Sequence, residues 1–233
     1  MTLSPAEVVS RVAAFTGNDL TRTLGTIEAS VRGVGVAECA AFIEDAGAGR
    51  EVLAAAAEMK RLAGQINVTI HALGILLCLP HVLEPDERVE YVSLGAGNTG
   101  RRFDLETNLR VAEFKFIRWR GGPEAIRQNS IFKDYFLLAD HATSKRKFLY
   151  LLGTDHALAF LKGGRALKSV LSRNEKVRSI FSERFGERYR TVGDYFSDHG
   201  TAVAIEDVSP WLSELAEDLI EEPLAEEMAD RTD

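Results

Sequence analysis

Residues 111–119 read Val-Ala-Glu-Phe-Lys-Phe-Ile-Arg-Trp, and this alternation of apolar and charged side chains has the period of two that marks a β-strand. Such a strand turns Glu113, Lys115 and Ile117 to one face and Phe114 and Phe116 to the other. Upstream, 88–94 and 101–106 keep the same period, and turn signals at 95–100 and at Thr107-Asn108 separate the three runs. An antiparallel meander is expected. Downstream, 123–139 returns to a helical period, and Arg-Lys-Phe-Leu-Tyr-Leu-Leu at 146–152 reads as a buried strand closed by Gly153. The predicted order is therefore three strands, a crossover helix and a fourth strand.

From Ser4 to about Leu83 the pattern is helical, with separate helices expected over 5–15, 19–31, 37–46, 50–63 and 65–79. Ser4, Pro5 and Glu7 supply a cap, a first-turn proline and a capping box, so the start reads as a helix rather than as a secretion signal. The longest apolar run, 66–79, is interrupted by Asn67, Thr69 and His71 and stops at Pro80, which predicts a buried helix and no membrane span. Residues 169–195 read as basic helices, and Ser209-Pro210-Trp211 opens a final acidic one.

The chain has 233 residues, enough for a full core, and its 45% hydrophobic and 27% charged content is that of a soluble globular protein. Two cysteines, Cys39 and Cys78, form no paired spacing, so neither a disulfide framework nor a zinc cluster is indicated and a cytoplasmic location fits. The net charge of −7 is unevenly spread. Residues 110–190 hold 18 Lys and Arg against 8 Asp and Glu, whereas 206–233 hold 11 acids and one Arg. Either the basic block attracts phosphate, or it forms ordinary solvated faces.

Chemistry concentrates at Phe103-Asp104 and Glu113-Phe114-Lys115. Hydrolysis of a phosphodiester needs a divalent ion to neutralise the phosphate and activate water, and Mg²⁺ takes few carboxylates. A lysine beside them can position or deprotonate the water and stabilise the charge that develops on the oxygens of the phosphorane. These residues, set in an αβββαβ order, resemble the PD-(D/E)XK nuclease superfamily over roughly residues 50–165. The resemblance implies a restriction-endonuclease-like α/β fold with a mixed central sheet, between a helical lead-in at 1–49 and C-terminal helices with an acidic tail at 166–233. It implies Asp104, Glu113 and the Phe114 carbonyl as ligands of Mg²⁺ or Mn²⁺, Lys115 as the catalytic lysine, and Gln128 as a supporting side chain with Tyr135 on the same helical face. Phe103 stands at the family's proline. The helix at 65–79 carries no acid, leaving Gln65, Asn67 and His71 as polar candidates there and Glu58 one helix earlier.

Each feature also has a plainer reading. Glu113 and Lys115 could form a surface ion pair, His71 reads as a core histidine, and Glu106 as a surface acid. Gly95-Ala-Gly-Asn-Thr-Gly100 matches G-x-G-x-x-G but precedes a strand rather than the helix that a dinucleotide site requires. It is read as a loop carrying Arg101 and Arg102 to a phosphate backbone. Arg118 and Arg120 flank Trp119, which either stacks on nucleic acid or fills the core. The expected activity is Mg²⁺-dependent hydrolysis of DNA, with a homodimer suited to cutting both strands. The rival is a nuclease-fold module that binds nucleic acid or a protein without cutting.

Overall fold

The structure, a computed structural model, describes residues 4–95, 102–119 and 124–216. It divides into two units, Met1–Thr69 and Ile70–Asp233. The first comprises α1 (Pro5–Thr16), α2 (Leu20–Ser30), α3 (Cys39–Asp45) and the beginning of α4 (Arg50–Val82). The expected capping box is formed: Ser4 Oγ accepts from the Glu7 N–H, and Glu7 Oε2 accepts from the Ser4 N–H at 2.8 Å. Among the described residues of this unit Val8 and Ala55 are the buried apolar side chains, whereas Leu20, Leu24, Leu53 and Ile66 stay exposed.

The two helices expected over 50–63 and 65–79 are one helix of 33 residues. Gly64 has open space around it and costs about 1 kcal/mol relative to alanine, a penalty that neighbouring residues of good propensity absorb. Pro80 does not stop the helix either, because it falls within the last turn and only the Leu76 carbonyl loses its donor. Burial is also less than expected. The most apolar 18-residue window has a mean hydropathy of 1.7 and is 17% buried, so α4 is long and apolar enough to cross a membrane by length and composition. Ile75, Cys78 and Val82, at helical spacing, are buried, whereas Leu73, Leu76 and Leu77 are exposed.

The second unit is α/β, built on an open mixed sheet. Its strands, β1 (Val89–Val92), β2 (Leu105–Thr107), β3 (Arg110–Lys115), β4 (Arg146–Leu151) and β5 (Ala204–Asp207), lie in the order β1-β2-β3-β4-β5. The first three form the expected antiparallel meander. Helix α5 (Ala125–Asp140) then carries the chain across to β4, which runs parallel to β3 with Glu113 opposite Leu149. The fifth strand, parallel to β4, was not expected, since four residues are too short a run to show a period. Asp104 precedes β2 rather than lying on it.

The remaining helices are α6 (Asp155–Leu161), α7 (Leu167–Val170), α8 (Glu175–Phe185), α9 (Val192–His199) and α10 (Ser213–Ala216), making ten α-helices among the described residues. One sheet face carries Val111, Leu149 and Leu151 against α5, α6, α8 and α9; the other carries Ala112, Phe114, Phe148 and Tyr150 against Ile75, Cys78 and Val82 of α4. Strands covered on both sides explain the apolar density of β3 and β4. Helices α6 and α9 meet without a side chain between them: a Cβ on Gly193 would sit 2.8 Å from the Gly163 carbonyl and 2.9 Å from that of Lys162. Gly193→Ala is therefore expected to lower stability by about 1–3 kcal/mol in urea unfolding, because backbone must yield.

Candidate active site

The meander and the crossover bring the chemistry together. In the β2–β3 ladder Leu105 faces Ala112 and Glu106 faces Val111, so one residue further the register sets Asp104 opposite Glu113. Asp104 Oδ2 accepts the Phe114 N–H at 2.9 Å, taking the place of the next ladder bond. A strand residue's N–H and C=O project to the same edge, which puts the Phe114 carbonyl on the Asp104 side. Asp104 Oδ1 lies 3.4 Å from His71 Nε2. His71 is thus no plain core histidine, since it lies beside the site and its ring meets the Phe116 edge at 5.8 Å.

Glu113 and Lys115 share a face as the alternation predicts, and Lys115 Nζ lies 3.2 Å from Glu113 Oε1. That face is covered by α5, and this adds a residue that the sequence reading missed. Asp134 Oδ2 lies 2.9 Å from Lys115 Nζ, closer than Glu113 does. The helical period marks Asp134 only as one of several polar positions on an amphipathic helix, without saying which strand residue it meets. Burial first, then the neighbouring Asp134 and Asp104, push the Glu113 carboxyl up to about 8, with Lys115 opposing the rise. For Lys115 burial disfavours the charge, but Asp134 and Glu113 outweigh it and hold the ammonium charged far above neutrality.

Gln128 lies on α5 as expected and is buried, yet its Oε1 has no hydrogen-bond partner. Tyr135 does not partner it: the Tyr135 hydroxyl donates to the His199 carbonyl at 2.6 Å. Arg102 turns toward the end of α5, where its Nη2 lies 3.8 Å from Asp140 Oδ2. Arg118 contributes its carbonyl as acceptor to Arg127 and lies near Asp207. Arg101 and Arg120 lie outside the described residues, as does the acidic tail beyond residue 216. Trp119 is a core aromatic, packed edge-on against Phe160 at 5.8 Å. The element that follows the glycine run is β2 rather than the helix that a dinucleotide site requires, while residues 96–101 themselves lie outside the described residues. Glu106 pairs with Lys145 at 2.9 Å and is the surface acid expected.

Much of the basic block is spent internally. Arg110, Arg127, Lys145, Arg146, Arg184 and Arg188 all pair with carboxylates. Lys162, Lys168 and Lys176 remain exposed without an ion-pair partner among the described residues. No group of three or more His, Cys, Asp or Glu side chains among the described residues forms a ready metal cage. The donors present are hard carboxylate oxygens with a carbonyl beside them, a set that suits Mg²⁺ or Mn²⁺ better than a softer ion. No known family, curated protein or solved structure matches the chain.

Proposed function

We propose that the protein is a metal-dependent phosphodiesterase acting on DNA, with a restriction-endonuclease-like core. The observation that carries this reading is the meeting of Asp104, Glu113 and Lys115 at the end of one strand, with the Lys115 ammonium 3.2 Å from the Glu113 carboxylate. The fold reading is supported by the antiparallel meander, the crossover through α5 and the parallel β4.

Asp104, Glu113 and the Phe114 carbonyl would hold the ion. A bound Mg²⁺ or Mn²⁺ supplies an acidified water and neutralises the phosphate. Asp104 arrives oriented, because the Phe114 N–H fixes Oδ2 and leaves Oδ1 directed toward His71. A cation here would favour the anionic form of Glu113, which burial and the neighbouring Asp134 and Asp104 disfavour. Lys115 stays an ammonium at neutral pH, so its part is to stabilise negative charge growing on the phosphoryl oxygens rather than to take a proton from water.

The test is incubation with supercoiled plasmid, linear duplex and single strands across Mg²⁺ and Mn²⁺ concentrations. Cleavage that requires the ion is the expected result. No loss of any substrate, with DNA binding retained and no ion bound in calorimetry, would replace this reading by that of a binding module.

A further inference from the structure

We infer that Asp134 is a positioning residue that anchors the Lys115 ammonium from α5, so that the lysine keeps its place when Glu113 is engaged by a cation. The inference rests on the phosphodiesterase reading of Glu113 and Lys115. Lys115 has two carboxylate partners, on different elements: Glu113 Oε1 at 3.2 Å, two residues away on β3, and Asp134 Oδ2 at 2.9 Å on α5. Glu113 is a poor anchor during the reaction. Once its charge serves a dication, the attraction on the ammonium is spent, and two cations separated by a few ångströms repel each other. Lysine is a point charge on a flexible four-carbon stem, and this one is 29% exposed, so with Glu113 as its only partner it would swing toward water.

Asp134 is placed to prevent this. Its side chain is only 6% exposed, Ser130 Oγ donates to the same Oδ2 at 3.4 Å, and Lys133 Nζ lies 3.7 Å from Oδ1. The carboxylate's orientation is therefore set by its own helix and does not depend on the strand that holds the cation. A purely structural pair would affect stability and leave turnover unchanged.

The experiment begins with metal-free protein. The side-chain NH₃⁺ resonance of Lys115, assigned by its absence in Lys115→Arg, is expected to be visible because pairing slows exchange with water. It should be lost in Asp134→Asn and recovered in Asp134→Glu, while backbone amide spectra report an intact fold. With Mg²⁺, Asp134→Asn is expected to lower kcat about 10–100-fold, the usual range for residues acting through another side chain, with KM for DNA unchanged. Combining it with Lys115→Ala should add no further loss. A folded Asp134→Asn protein that keeps the Lys115 signal, or losses that add in the double variant, overturns the inference. If the wild type cuts nothing, the phosphodiesterase reading falls, and the resonance alone decides for or against Asp134. Should Asp134→Asn not fold, Ser130→Ala removes the orienting donor without stranding a charge; a weakened Lys115 signal supports the inference and an unchanged one overturns it.

Discussion

Glu87→Gln is expected to cost about 3–5 kcal/mol of folding stability, the usual consequence of removing one partner from a buried ion pair. The Glu87 side chain is fully buried and receives the Arg110 guanidinium in two-pronged fashion, through Nε at 2.6 Å and through Nη2. Thr107 Oγ1 and the Glu84 N–H donate to the same carboxylate, and Arg110 Nη1 donates to the Tyr150 hydroxyl at 2.7 Å. Arg110 also lies over the Phe148 ring at 4.7 Å, so the pair ties the β2–β3 turn to β4. A neutral amide at position 87 leaves a guanidinium of 4% exposure facing Glu84 at 3.8 Å as its nearest remaining carboxylate. Urea unfolding at neutral pH measures the loss, and a cost under about 1 kcal/mol would refute the assignment.

The same pair predicts a pH dependence. Burial alone would raise the Glu87 pKa, but Arg110, Thr107 and the Glu84 N–H overcome it and bring it down to about 2 from an ordinary value of 4.5. A depressed carboxyl stabilises the fold at pH values above the unfolded pKa. That contribution is lost as pH falls from about 4.5 to 2, where the unfolded chain takes up the proton first. Unfolding scans of wild type and Glu87→Gln should therefore converge toward pH 2 and run parallel above about pH 5.

Lys115→Ala is expected to lower metal-dependent cleavage by about 10²–10³-fold, the scale measured when one electrostatic stabiliser of a transition state is removed. Its effect on metal binding has the opposite sign. The ammonium sits between Glu113 and Asp134, so its removal leaves carboxylates uncompensated and makes the site more attractive to a cation. Mn²⁺ titration by calorimetry should show binding at least as tight as in wild type, whereas Glu113→Ala should lose both binding and cleavage. Equal cleavage by Lys115→Ala and wild type would remove the lysine from the mechanism.

Glu113 and Lys115 were legible together because a strand has a period of two and they stand two apart. Asp104 was legible by type and distance, but it precedes β2 rather than lying on it; a bend at the ladder's end lets its side chain, rather than its backbone, satisfy the Phe114 N–H. His71 was legible as a polar candidate but favoured as a core histidine because its own helix is apolar, and only packing puts it beside Asp104. Asp134, Tyr135 and Trp119 show the same limit. A helical period tells which residues share a face, but not which residue across the gap each one meets.

Local physics determined from the sequence alone that the middle of this chain is a meander, a crossover helix and a parallel strand, since period, turn residues and caps act over a few positions. It also placed Glu113 and Lys115 on one strand face, whereas the meeting of Asp104 with them was an expectation from the resemblance and depends on the β2–β3 register. The tertiary structure decided that α5 lies over the Glu113 face and supplies Asp134, that α4 brings His71 to Asp104, and that Arg110 buries its charge against Glu87 rather than offering it to phosphate. Those outcomes depend on sheet register and helix placement, which are set by the filling of two cores on opposite faces of the sheet and are encoded in no single stretch of sequence.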